Sequence, residues 1–249
     1  MIHKRSLKEK TIDYLLYIAT FSGINFIAGS VVHALDYSLY NYILLFVGSV
    51  LTPSALLIRE LMLNKNPINR DFWGSFGINL VLSISAGCIT GGIIHLGENS
   101  LFSWYLVISG FIMSFATAML YKTKPFLPAV LDYILWIAMF SGMSFISGSV
   151  VHAANDWFNN FLLIAFGAIL TPAAILLRNK LILGKQTALG KNFLILLVLS
   201  LGVSGVTGGI IHFTKNMSYA TILIVGGFIL SYLAALHKND GSLAELRSR

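Results

Sequence analysis

Charge is what this 249-residue sequence has least of. Charged residues make up 11% of it, against about 25% in a soluble domain. That deficit excludes an ordinary water-facing surface. The one cysteine, Cys88, excludes an internal disulfide and says nothing of redox compartment. No polar stretch is long enough to form a soluble domain of its own. The longest are the first ten residues, the loops near 64–72 and 179–192, and a short tail. There is no Walker loop, dinucleotide fingerprint, HExxH or CxxC, so hydrolase and ATPase readings have nothing to rest on. No Asp, Glu, Lys or Arg falls mid-way along an apolar run, where ion-coupled transporters usually place one.

Hydrophobic residues are abundant instead, at 56%, with a mean hydropathy of +0.79. Apolar stretches of about 20 residues, the length a bilayer requires, follow one another along the chain. The net charge of +7 invites a nucleic-acid reading, but the placement of the charges explains it better. Lys and Arg cluster at 4–10, 59–70, 122–124, 178–191 and 238–249, which together hold 16 of the 17 basic residues; only Lys215 lies apart. Clusters alternating with nearly charge-free turns are the positive-inside pattern. They predict eight spans with both termini cytoplasmic. The basic start has no small-residue cleavage site, so it reads as a retained first span. A bacterial inner membrane is the expected location, the bilayer and other membrane subunits are the candidate partners, and nucleic acid is not expected.

The spans repeat. DYLLYIATFSGINFIAGSVVH at 13–33 and DYILWIAMFSGMSFISGSVVH at 132–152 share fifteen of 21 residues at an offset of 119. GSVLTPSALLIR at 48–59 matches GAILTPAAILLR at 167–178. VLSISAGCITGGIIH at 81–95 matches VLSLGVSGVTGGIIH at 198–212, and Gly110 and Ser114 recur as Gly227 and Ser231. All four quarters end their first helix with small–Gly–small, two β-branched residues and His. The unit is therefore one helical hairpin, at 13–62, 74–122, 132–182 and 192–238, grouped as halves 13–122 and 132–238 within one membrane domain, 1–249. Two spans per unit bring every copy into the membrane in the same direction, so the repeats are parallel. The expected architecture is an all-α, pseudo-four-fold bundle of eight transmembrane helices. Small residues such as Ser22, Gly23, Ala28, Gly29 and Ser30 should place the odd helices innermost. Thr52-Pro53 and Thr171-Pro172 should kink the second and sixth spans.

One constellation carries possible chemistry. His33, His95, His152 and His212 stand at matching positions, at the outer ends of the odd helices, and around a common axis they would form a ring. Ionisable residues at spans are functional candidates by default. Gly29, Gly91, Gly148 and Gly208, each four residues earlier, share the helical face of the histidine. They leave a flat patch that can admit a neighbouring helix, or a planar macrocycle whose metal the imidazole ligates. Asp36, Glu98 and Asp156 follow three of the histidines and can orient them; the fourth copy has Lys215 instead. The bland alternative is that an imidazole at a helix C-terminus caps a carbonyl and complements the dipole. His3 and His237 sit at the cytoplasmic edge and carry no expected role. Tyr37, Tyr40, Trp104, Trp157 and Phe158 read as an interfacial belt.

Three functions compete. Four imidazoles at one level suit copper, zinc or iron, or axial ligation of haem or another tetrapyrrole, for electron transfer or metal handling. A channel or passive permease for a small solute would use the histidines as a gate charging near pH 6–7. The short loops also fit a non-catalytic accessory subunit.

Overall fold

A computed structural model describes residues 6–36, 38–64, 68–120, 125–153, 157–184 and 191–237. Its helices are α1 (Leu7–Val32), α2 (Leu39–Ile58), α3 (Arg70–Ile94), α4 (Ser100–Leu120), α5 (Phe126–His152), α6 (Trp157–Leu181), α7 (Lys191–Ile211) and α8 (Met217–His237). A 3₁₀ turn, Ala34–Asp36, follows α1, and a π-helical segment, Arg59–Asn64, extends α2. No strand occurs among the described residues. Eight helices are long and apolar enough to cross a membrane.

Short polar turns set the helix starts. Ser6 and Glu9 form a capping box at α1, with Glu9 N–H donating to Ser6 Oγ at 3.2 Å and Ser6 N–H to Glu9 Oε2 at 2.8 Å. Ser38 caps α2 and Asn69 caps α3, while the side chains of Asn99 and Asn216 accept from the first turns of α4 and α8. Each satisfies an amide that a helix start leaves free.

The helices pair as α1–α2, α3–α4, α5–α6 and α7–α8, and α1, α3, α5 and α7 also touch in the closed order α1–α3–α5–α7–α1. Small residues, Gly, Ser, Thr and Ala, share the interior with apolar clusters such as Ile89, Tyr133 and Ile137, while many large side chains, Phe46 and Ile169 among them, point outward, each of these two 71% exposed. In lipid this is the expected arrangement, because association there depends on close backbone approach.

The hairpins close on glycine. A Cβ on Gly23 would stand 2.3 Å from Thr52 Oγ1, and one on Gly142 2.4 Å from Thr171 Oγ1. Pro53 and Pro172 lie inside α2 and α6. Thr52 Oγ1 donates to the Gly48 carbonyl at 2.8 Å, one residue before the carbonyl that Pro53 leaves unpaired. The Thr-Pro pairs thus serve packing of the hairpin.

Further bonds join neighbouring hairpins. Asp13 accepts from Arg59 Nε at 2.7 Å, and Asp132 from Arg178 Nε at 2.6 Å, each pair within one hairpin. The adjacent tyrosines reach outward from theirs. Tyr14 OH lies 2.8 Å from Ser231 Oγ on α8, and Tyr133 OH lies 2.9 Å from Ser114 Oγ on α4. Arg59 and Arg178, expected only to anchor topology, therefore also hold a helix pair together.

Candidate metal centre

Each histidine stands where its odd helix stops, and the following helix ties off that end. Asn41 Nδ2 donates to the His33 carbonyl at 2.7 Å, Ser103 Oγ to that of His95 at 2.9 Å, and Asn160 Nδ2 to that of His152 at 3.0 Å. All three lie eight residues after their histidine. For His212, the amides of Lys215 and Asn216 do this at 3.0 and 3.2 Å. These carbonyls are satisfied without an imidazole. The capping role expected as the bland alternative occurs at His152, whose Nδ1–H donates to the Gly148 carbonyl at 2.8 Å. His237 Nδ1 bonds the Leu233 carbonyl in the same way, and His3 lies outside the described residues.

The four imidazoles meet. Ring centroids lie 4.8 Å apart for His33–His95, 4.8 Å for His95–His152, 4.6 Å for His152–His212 and 5.1 Å for His212–His33. Adjacent rings stand nearly perpendicular, at 79–84°. Ligand atoms of His33, His152 and His212 all fall within 4.8 Å of one another, so this trio can hold a metal ion. His33 and His95 are buried; His152 and His212 are half-buried.

A cavity of about 160 Å³ opens on the ring and runs two helical turns inward. On each odd helix its walls come from the positions one, four, five and eight residues before the histidine, a single helical face. Asn25, Thr90, Ser144, Ser147, Ser204 and Thr207 contribute polar groups to a mostly apolar lining, and Asn25 Nδ2 donates to Thr207 Oγ1 at 3.2 Å.

The glycines expected to leave flat patches are met by the neighbouring odd helix. A Cβ on Gly29 would stand 2.5 Å from Ile211, on Gly91 2.5 Å from Val32, on Gly148 2.6 Å from Ile94 and on Gly208 2.4 Å from Val151. Each partner is the β-branched residue just before a histidine. Of the two occupants considered, a helix or a macrocycle, the structure places the helix there. This contact fixes how far one imidazole stands from the next.

Two of the three acids lie at their histidines. Glu98 Oε2 is 2.9 Å from His95 Nδ1, and Asp36 Oδ2 is 3.4 Å from His33 Nδ1. Asp156 lies outside the described residues. A carbonyl or carboxylate on Nδ1 requires the proton there and leaves Nε2 as the lone pair. In His152 that Nε2 is buried and has no hydrogen-bond partner among the described residues. Burial, then the charge of neighbouring imidazoles and Lys215, holds the pKa values of His33 and His212 below the ordinary imidazole range. Both stand one residue beyond their spans.

Two contributors escaped the sequence reading. Tyr40, assigned to the interfacial belt, is half-buried, and its hydroxyl donates to the Ile210 carbonyl on α7. Tyr219 donates to the Val150 carbonyl on α5. Both carbonyls lie two residues before a histidine, so each tyrosine buttresses the ring from another hairpin. Trp104, Trp157 and Phe158 remain exposed, as a belt requires, and Tyr37 lies outside the described residues. Compared with known proteins, the chain matches no family model, no curated protein and no solved structure.

Proposed function

We propose that this chain is a metal-binding membrane protein whose histidine ring holds one transition-metal ion for electron transfer or metal handling. The observation that carries the reading is His152 Nε2, buried, without a hydrogen-bond partner among the described residues, and part of an imidazole cluster. A buried polar atom without a partner is rare and costs about 1–3 kcal/mol, and a metal ion would satisfy it. Neutral imidazoles suit copper, zinc and iron. At a metal–nitrogen distance of 2.0–2.1 Å, tetrahedral ligand atoms stand roughly 3.4 Å apart, so binding would draw the trio inward by about an ångström. His95, held by Glu98, is the reserve fourth ligand.

Chemistry favours an ion over a haem or other tetrapyrrole. The cavity is about 160 Å³, below the roughly 300 Å³ where ligand pockets begin, and side chains of the adjacent helix fill the glycine patches. The sequence repeats support a pseudo-four-fold arrangement of the hairpins, and the basic clusters support cytoplasmic termini in a bacterial inner membrane. The channel reading keeps one supporting observation, the Asn, Ser and Thr side chains along the cavity. The accessory-subunit reading rests on the short loops.

The test is metal analysis and a visible spectrum of the purified full chain, alone and after loading with Cu²⁺, Zn²⁺ or Fe²⁺. About one ion per chain, lost in the His33→Ala, His152→Ala and His212→Ala triple variant, is expected. Absence of stoichiometric metal from wild-type protein under every loading condition overturns the proposal.

A further inference from the structure

The ring is not equally enclosed. A second cavity, about 240 Å³, lies against it between the first and fourth hairpins, with His33, Asp36, Tyr40, Asn41, His212 and Lys215 among its walls. Asp36 Oδ2 is 3.4 Å from His33 Nδ1 on one side and 3.7 Å from Lys215 Nζ on the other. Glu98, the matching acid of the second hairpin, sits closer to its own histidine, at 2.9 Å. Asp36 is thus shared between the ring and the one basic residue outside the five basic clusters.

We infer that this cavity is the port through which a divalent cation reaches the ring, with Asp36 as its transfer ligand and Lys215 as the displaceable counter-ion. The inference rests on the metal-binding reading of the ring. The Lys215 ammonium stands where an approaching cation would contact Asp36. A hard carboxylate oxygen with a mobile partner exchanges ions readily, whereas the imidazoles hold them. The ion displaces Lys215, rests on Asp36, and passes to His33, which walls both cavities. Tyr40 and Asn41 keep the passage open at its sides by bonding to backbone, at the Ile210 and His33 carbonyls. Lys215 also disfavours a second cation once the ring is filled.

A port residue changes how fast an ion reaches the ring. The experiment follows Zn²⁺ association and dissociation by stopped flow on the detergent-purified full chain. One exposed unit charge near the path is worth about 5-fold in rate. Lys215→Ala is expected to raise the association rate constant about 5-fold and Asp36→Asn to lower it by a similar factor. Both side chains are about half exposed, at 53% and 47%, so neither change removes packing. Lys215→Met repeats the first change with the stem retained. Wild-type rates in these variants, with metal still bound, overturn the port and leave the ring proposal intact. A change in Kd carried by dissociation alone makes Asp36 a ligand and also overturns the port. Failure of wild-type protein to bind Zn²⁺ at all overturns the ring reading first.

Discussion

Replacing His152 with leucine separates the two accounts of the ring, because they give opposite signs for stability. His152 Nε2 is buried without a hydrogen-bond partner among the described residues, which costs about 1–3 kcal/mol. Leucine removes that atom and keeps most of the apolar volume. It also removes the Nδ1–H bond to the Gly148 carbonyl, worth about 1 kcal/mol. The balance is an apo protein more stable by about 1 kcal/mol, with metal affinity lowered at least 100-fold. Second-sphere changes alone cost 10- to 100-fold, and His152 belongs to the trio that can hold the ion. Denaturant unfolding in detergent, with and without chelator, measures the first quantity, and competition with a chromophoric chelator measures the second. If His152 served only as a helix cap, with Nε2 satisfied by water, the variant would lose about 1 kcal/mol and bind metal as before. That pair of results would refute the argument.

The remaining expectations follow from the same geometry. Because burial holds the His33 and His212 pKa values below the ordinary range, the folded ring stays neutral where the unfolded chain takes up protons. Stability is therefore full above pH ~6.5 and falls as pH drops from there toward the depressed folded values, while Zn²⁺ affinity of the folded protein stays level between about pH 7.5 and 6; a tenfold loss of affinity over that interval would contradict this, and unfolding titrations with isothermal calorimetry check both. Gly208→Val places a Cβ 2.4 Å from Val151 Cγ2 and should destabilise by about 1–3 kcal/mol through overpacking, with Val151→Ala in the same chain recovering part of it in unfolding assays. A double-mutant cycle of Asp132→Asn and Arg178→Gln should give a coupling of about 1.5–3 kcal/mol, the range for hydrogen bonds to charged groups; additivity within about 0.5 kcal/mol would mean that the pair is incidental.

The span count and the alignment of the histidines were legible in one dimension, because each follows from composition and spacing alone. Twenty apolar residues without charge are a span by length, and small–Gly–small before each histidine marks a close helix approach wherever the chain runs. The repeated Asp-Tyr at 13–14 and 132–133 also stood in the sequence, but nothing local told which partner each side chain would find. Asp13 turned to Arg59 in its own hairpin and Tyr14 to Ser231, more than 200 residues away. Only the packing of hairpin on hairpin decided that the glycines receive Val32, Ile94, Val151 and Ile211, that Tyr40 leaves the lipid belt for the Ile210 carbonyl, and that Lys215 closes on Asp36. Hydropathy and periodicity report which face of a helix is buried. Which helix comes to lie against that face is settled by contacts between residues far apart in the chain, and the ring of imidazoles is made of nothing else.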